Sequence, residues 1–270
     1  MSYYTSITGL KNAQTDLSVI AHNIANAETS GFKKSATTFA DIVATSVLTD
    51  PSLTVGIGAR VSAITQNFAL GPIEQTGSSL DVAINGDGFF TIVSPDTGET
   101  SYTRAGEFRI DSSGFIKTAY GDRLQVFPVD STGAISSTTL QDCQMPTANA
   151  AGADFAGVNI SAKGEVAVSY ADGSSEVIGV VSIAKFLSPQ GLRQLGGSTW
   201  SATGLSGTPT YAAPGTGQFG SLLSGSVERS NVDIAEELVG LITAQRTFQA
   251  NAKAIDTATQ ISQTIIQLQS

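Results

Sequence analysis

The sequence has one cysteine, Cys143, and one histidine, His22, in 270 residues. A single thiol excludes an intrachain disulfide and any cysteine-based metal cluster. With one imidazole beside it, the usual zinc ligand sets are out of reach. No run of about 18 apolar residues occurs, so no membrane-spanning helix is expected. Charge is scarce, at 14% of residues, and unbalanced, with a formal net charge of −9. Phosphate neutralisation needs clustered Lys and Arg, and only Lys33-Lys34 form a basic pair, so no nucleic-acid partner is expected. The opening "MSYYTSITGLKNAQTD" lacks a basic segment followed by an apolar one, so no cleavable secretion signal is visible. A cytosolic enzyme fits that absence, and so does a protein exported by a route that reads no such signal. Aromatics are 7% of the chain, while Ser, Thr, Ala and 28 Gly abound. Such a chain can bury a core, but its surface relies on neutral polar groups suited to packing against other subunits.

The periodicity changes twice along the chain. Tyr3, Ile7, Leu10, Gln14, Leu17, Ala21 and Ile24 alternate spacings of four and three, the pattern of a coiled-coil seam. Gly9 weakens that helix by roughly 1 kcal/mol relative to Ala. The stripe ends near Asn26, and Thr29-Ser30-Gly31 supply turn chemistry, with Gly31 able to take a positive φ. At the other end Ile234, Leu238, Leu241, Gln245, Phe248, Ala252 and Ile255 repeat the spacing. Ala258, Ile261, Ile265 and Leu268 continue it slightly shifted. Ser230 or Asn231 is positioned to cap this helix, and Asp233, Glu236 and Glu237 suit its positive end. Its outer face is Gln, Thr, Ser and Asn rather than paired Glu and Lys, which predicts burial between copies rather than exposure to water.

Between the helices the pattern is β. "LDVAINGDGFFTIVS" reads as a hairpin-like unit turning at Asn85-Gly86-Asp87-Gly88. Further turns fall at Ser113-Gly114, Tyr120-Gly121-Asp122, Lys163-Gly164 and Asp172-Gly173. Strands this closely spaced suggest an antiparallel sandwich or barrel. "GSTWSATGLSGTPTYAAPGTGQFG" reads as a long irregular connection. "TTFADIVATSV" is compatible with a short helix or an extended arm, and "TDPSLTVG" with a turn leading into a strand. The fold class is therefore α+β, with long terminal helices and a central antiparallel all-β domain. The expected divisions are 1–30 for the N-terminal helix, 31–79 for an extended arm, 80–229 for the β domain and 230–270 for the C-terminal helix.

The chemical motifs are weak. "NGDGFF" leads into a strand, whereas a phosphate loop leads into a helix. His22 has Asp16 and Glu28 near it in sequence, but neither defines a triad, and a polar helix flank accounts for it. Asp81, Asp87, Asp96, Glu99, Asp111 and Asp122 offer paired carboxylates for glycoside hydrolysis, yet Asp beside Gly or Ser is also what turns use. Neither "DSSG" nor "NGDG" matches a twelve-residue calcium loop. No catalytic residue, metal or cofactor is assigned.

Three stretches carry a family resemblance. "GLKNAQTDLSVIAHNIANAETSGFKKSATTFADIV" resembles the N-terminal signature of bacterial flagellar rod and hook proteins. "LDVAINGDGFFTI" with "YTRAGEFRIDSSGFI" resembles their shared β domain. "SGSVERSNVDIAEELVGLITAQRTFQANAKAIDTATQISQTIIQL" resembles their C-terminal signature. The resemblance implies an axial subunit that polymerises into a helical, torque-transmitting tube, its terminal helices forming a coiled-coil inner layer and its β domain an outer one. It implies export through the flagellar type III apparatus, an assembly cap, and rod, hook or hook–filament junction proteins as neighbours. It places the subunit in the hook–basal body region, outside the inner membrane.

Hook-like ends combined with rod-like size favour a short hook-type subunit, with the distal rod as the alternative. A carbohydrate-active β enzyme is the reading from another class, and a monomeric adhesin a third. Ile7, Leu10, Leu17 and Ile24 are expected to meet Leu238, Leu241, Phe248, Ile255 and Ile265 within and between subunits. Asn26, Gly31 and Phe32 are expected to form a joint between helix and arm, with Phe32 anchoring the turn against a neighbour and Lys33-Lys34 facing polar surroundings.

Overall fold

The computed structural model describes residues 2–44, 56–130, 133–149 and 151–269. The turn expected at the start of "TDPSLTVG" lies outside the described residues. The chain divides into two units.

The first unit comprises residues 1–27, 34–67 and 232–270. It holds helix α1 (Ser2–Ala25), strands β1 (Ser35–Val43) and β2 (Gly56–Gln66), and helix α2 (Ile234–Gln269). Of the stretch compatible with either helix or arm, residues 37–43 are strand, as β-branched Thr37, Thr38, Ile42 and Val43 favour, and residues 45–47 lie outside the described residues. β1 and β2 pair antiparallel from Ser35 opposite Gln66 to Val43 opposite Gly56, with two register shifts on the way. A two-stranded ribbon is marginal in water on its own, and both strands pack on α1.

α1 ends where Asn26 turns back on it. The Asn26 backbone N–H and its side-chain Nδ2 both donate to the carbonyl of His22, at 3.2 and 2.9 Å. α2 begins two or three residues later than a cap at Asn231 or Ser230 would place it. The cap is Asp233, whose Oδ1 accepts the backbone N–H groups of Ala235 (2.8 Å) and Glu236 (3.2 Å). A carboxylate satisfies the orphan amides of a first turn and suits the positive end of the helix dipole. At 36 residues α2 runs roughly 54 Å.

The second unit comprises residues 28–33 and 68–231. Its main sheet is antiparallel throughout. Phe155–Ile160, Glu165–Tyr170, Ser175–Val181, Arg123–Phe127, Phe89–Val93, Thr100–Thr103, Thr199–Ser201 and Arg193–Gly196 lie side by side in that order. Two small pairs accompany it: Val82–Asn85 with Ser221–Ser224, and Ile73–Gln75 with Ser226–Glu228. The strand "FFTIV" is buried on both faces. Because successive side chains alternate, it feeds two cores. Phe90 joins an aliphatic cluster with Ile84, Leu124, Val166 and Ile183. Phe89 joins an aromatic one with Tyr102, Phe186 and Trp200.

Two expectations are corrected here. Val82–Asn85 and Phe89–Val93 do not form a hairpin with each other. The first pairs with Ser221–Ser224, while the second pairs with Thr100–Thr103, Arg123–Phe127 and Ile183–Lys185. Both runs are buried, so tertiary partners outweigh the local turn in choosing the pairing. The region expected as an irregular connection contains the strands Thr199–Ser201 and Thr210–Ala212. Trp200 is fully buried there and Tyr211 packs on the same cluster, two anchors in otherwise turn-rich sequence.

Candidate assembly surface and joint

In the first unit α1 and α2 run antiparallel. A Cβ on Gly9 would stand 2.5 Å from the Asn251 amide oxygen, and one on Gly240 would stand 3.5 Å from Ile20 Cδ1. Asn23 Nδ2 donates to Glu237 Oε2 at 3.1 Å. Small and polar residues thus face each other where the helices approach. The most buried positions on α1 are Ser6, Ala13, Ile20 and Asn23; on α2 they are Glu237 and Ala244.

Each of these stands one residue before a position of the expected hydrophobic stripe, a rotation of about 100° on a helix of 3.6 residues per turn. The stripe itself is turned partly outward on both helices. Ile7, Leu10, Leu17 and Ile24 are half-buried, as are Leu241, Phe248 and Ile255. Leu238 is 46% exposed and Ile265 50%. Beyond them α2 outruns the shorter α1, and residues 259–268 are all exposed, including Ile261, Ile265, Ile266 and Leu268. Ala13, Ile20, Gly240 and Ala244 also line a groove of about 650 Å³, with Phe39 of β1 on its wall. One chain therefore leaves a long apolar surface on its helices uncovered.

Around the expected joint, polar bonds tie three elements of the first unit together. The Asn23 side chain is 1% exposed. Its Nδ2 donates to the Ser35 carbonyl at 2.8 Å, and its Oδ1 accepts the Ser35 backbone N–H at 2.9 Å. Lys34 pairs with Glu237 at 2.8 Å and Glu236 at 3.1 Å. Burial alone would lower the Lys34 ammonium, but the hydrogen bonds to Glu237 and Glu236 outweigh it and raise its pKa. The end of α1, the start of β1 and the first turn of α2 are locked by this set.

The second unit holds the other half of the stretch. Gly31 sits at φ +68, and its N–H donates to the Glu228 carbonyl at 2.8 Å. A Cβ there would run into the backbone of Arg104 and Ala105. Phe32 is 3% exposed, buried within the chain rather than offered to a neighbour. Of the two lysines, Lys34 meets the carboxylates of Glu236 and Glu237, whereas Lys33 departs from expectation. Lys33 is fully buried, with Nζ 2.5 Å from Glu228 Oε1 and donating to the Ala69 carbonyl at 2.7 Å. Burial lowers its pKa despite the carboxylate. Arg104 reaches the other Glu228 oxygen at 3.3 Å, while Gly71 N–H donates to Oε1 at 2.9 Å. A buried carboxylate with this many donors is held firmly, since leaving any partner unpaired inside costs several kcal/mol.

Asn23, Arg104 and Glu228 are not singled out by the sequence, and Glu237 only as an acid at the positive end of its helix. Lys33 and Glu228 are 195 residues apart, and no periodicity within one sequence links such a pair. Glu228 does carry one signal, a lone acid at the end of the short strand Ser226–Glu228. Asp111, one of the carboxylates considered for catalysis, closes its own turn instead, and Asp172, outside that set, does the same. Asp111 accepts the N–H groups of Phe115 and Ser113, which hold its pKa down, and Asp172 accepts the hydroxyl and N–H of Ser174.

Comparison with known proteins matches three family models. Residues 4–33 match "Flagella basal body rod protein", residues 83–168 match "Flagellar hook protein FlgE/F/G D1 domain", and residues 223–268 match "Flagellar basal body rod FlgEFG protein C-terminal". The flagellar basal-body rod protein FlgG of Bacillus subtilis is 37% identical, over 99% of this chain and 98% of its own. FlgG of Buchnera aphidicola subsp. Acyrthosiphon pisum is 33% identical over 99% of each chain. The flagellar hook protein FlgE of Escherichia coli is 27% identical over 99% of this chain and all of its own. That alignment runs over 410 positions, far more than the 270 residues here, so the hook protein carries long segments without a counterpart.

Proposed function

The chain belongs to the flagellar hook and basal-body rod protein family, and on that premise we propose that it is a rod-type axial subunit rather than a short hook-type one. Membership carries the coarser statements: a structural subunit of the flagellar axis, not an enzyme, self-polymerising beside other axial proteins in the hook–basal body region. The hook-type expectation gives way on length. Rod relatives align with this chain from end to end, and the hook relative does so only across large gaps.

The observation that carries the mechanism is the outward rotation of the apolar stripes. Leu238, Val239, Ile242 and Ile265 are each about half or more exposed on a helix with little charge to keep it in water. Heterologous contacts repeated from copy to copy generate an open helical tube when the rotation does not close a ring. In that tube Ile7, Leu10, Leu17 and Ile24 of one copy meet Leu238, Leu241, Phe248, Ile255 and Ile265 of the next. The terminal helices form a coiled-coil-like inner layer and the β unit an outer one. Burial of each large apolar side chain contributes about 1.5–3 kcal/mol. Asn26, Gly31 and Phe32 form the joint between the N-terminal helix and the arm that follows it, where bending or subunit sliding is accommodated. Subunits reach the growing end through the flagellar export apparatus beneath an assembly cap, with rod, hook or hook–filament junction proteins as end neighbours.

Electron microscopy of the concentrated, purified chain tests this reading. Straight tubes are expected of a rod subunit. Curved tubes would restore the hook reading, and a chain that stays monomeric at high concentration would overturn self-assembly.

A further inference from the structure

Glu228 is the only carboxylate touching two buried cations, Lys33 and Arg104, among the described residues. Arg104 is 3% exposed and leans over the Phe89 ring, its Cζ 5.2 Å from the centroid. Its Nε–H is buried and has no hydrogen-bond partner. A buried donor left unmade costs about 1–3 kcal/mol, and more when it carries charge. Arg104 also lines a cavity of about 200 Å³ with Phe68, Phe89, Lys185, Phe186 and Leu187. Asp87 stands at its rim, but that carboxylate is 74% exposed and already bonded to Lys185 at 3.2 Å. Three cations, Lys33, Arg104 and Lys185, thus face two carboxylates, Glu228 and Asp87. The site is one negative charge short.

The surface beside the cavity is apolar and uncovered. Leu187 is 96% exposed and Leu205 83%. Their backbones are neighbours, with Ser188 N–H donating to the Ser206 carbonyl at 3.3 Å. An arginine and aromatic rings in a pocket, with leucines at the edge, are what the buried centre of a protein interface is made of.

We propose that this pocket is a socket for a carboxylate-bearing, apolar-flanked segment of a second copy of this chain. The carboxylate meets Arg104 Nε–H, and its apolar neighbours cover Leu187, Leu205 and the Phe68 and Phe186 rings. A second copy supplies the missing charge readily, since the chain carries 23 acids against 14 bases. The choice of occupant rests on the self-assembling reading above.

Two measurements on the full chain test it, and they separate the socket from that reading. In the first, the monomer is titrated with 3-phenylpropionate or its uncharged amide while the Arg104 Nε–H and Leu187 methyl resonances are followed. A saturable shift with the acid alone is expected, and it disappears in Arg104→Met. No shift, or equal shifts from acid and amide, overturns the carboxylate site. In the second, the critical concentration for polymer is compared among wild type, Arg104→Met and Leu187→Asp. Arg104→Met takes the cation from Glu228 Oε2, so thermal stability is expected to fall, and at a temperature where both chains are fully folded the critical concentration is expected to rise about tenfold or more. Leu187→Asp, a surface change, is expected to match it. If Leu187→Asp assembles normally, the effect of Arg104→Met is that of a lost structural pair and the socket is overturned. A wild type that forms no polymer overturns self-assembly and the second copy as occupant, and the titration still decides whether the pocket takes a carboxylate.

Discussion

The two units bury opposite kinds of residue. In the β unit most of the large, fully buried side chains are apolar, Trp200, Phe89, Phe90, Ile84, Ile92 and Leu222 among them, with Lys33 and Glu228 as charged exceptions. In the helical unit the buried positions among the described residues are Ser6, Ala13, Ile20, Asn23, Ser35, Glu237 and Ala244, while Leu238, Val239, Ile242 and Ile266 lie exposed. A domain is stable when its large apolar side chains leave water. By that measure the β unit is finished within one chain and the helical unit is not. Isolated helices without packing are marginal, and on the proposed reading the missing burial comes from other copies. The difference separates a self-sufficient body from an assembly element encoded in the same polypeptide.

The largest expected effect breaks the comparison on the helical side. Leu241→Asp or Phe248→Asp should abolish polymer while leaving the β unit folded. Each removes about 1.5–3 kcal/mol of apolar burial per contact and adds an unpaired charge. Pelleting of polymer reads the first outcome. The β unit can be read through Cys143, which is buried and whose thiol is pushed up to about 12 by burial, with Asp142 adding to it. It should resist alkylation in wild type and variants alike. Normal polymer from either variant would mean the exposed stripe is not the assembly surface. On the β side, Trp200→Ala should cost about 3–5 kcal/mol and speed alkylation of Cys143, because the aromatic cluster collapses only partly into such a cavity. A Trp200→Ala chain with unchanged unfolding would show that the β unit also leans on neighbours.

Much of this contrast is legible in the order of residues. The heptad spacing locates both helices, and Gly-containing turns locate most strands. Rotation is what the order of residues does not carry. The stripe Ile7, Leu10, Leu17 and Ile24 reads as the seam within the chain, but α1 and α2 approach on the row one residue earlier, where Gly9 and Gly240 permit it. Periodicity reports which residues share a face, not which partner covers it. Pairing is illegible for the same reason: "VAIN" and "FFTIV" look like hairpin arms, yet the first pairs with Ser221–Ser224 and the second with three other strands. The buried ions at the joint are hidden most deeply, since Lys33 beside Lys34 resembles a solvated pair until Glu228 folds against it.

The joint offers a sharper and smaller test. Gly31→Val should damage assembly far more than His22→Gln. Valine at φ +68 is strained, a cost of order 1–3 kcal/mol, and its Cβ meets the backbone of Arg104 and Ala105. His22 is exposed on the flank of α1. Thermal unfolding of the monomer and the critical concentration of polymer should both move for Gly31→Val. If His22→Gln proves the more damaging, the functional residue of the joint is on the helix rather than in the turn.

The smallest expected effect is a pH dependence confined to the helical unit. The pKa of Lys34 is raised in the folded chain because its hydrogen bonds to Glu237 and Glu236 outweigh desolvation. A cation whose folded pKa lies above its unfolded value binds its proton more tightly when folded. The stability it contributes is therefore complete below the unfolded lysine value of 10.5 and is lost as pH rises through the folded value. Helix content by circular dichroism should stay level across neutral pH and fall above that range. Lys34→Met should lower the plateau slightly and remove the Lys34 part of the alkaline fall. Lys33, buried in the other unit with its pKa lowered, works in the opposite direction: the penalty for keeping it charged is relieved as pH climbs toward 10.5. Alkaline pH should thus loosen the helical unit before it harms the β unit, and simultaneous loss of both would show that the two do not unfold separately.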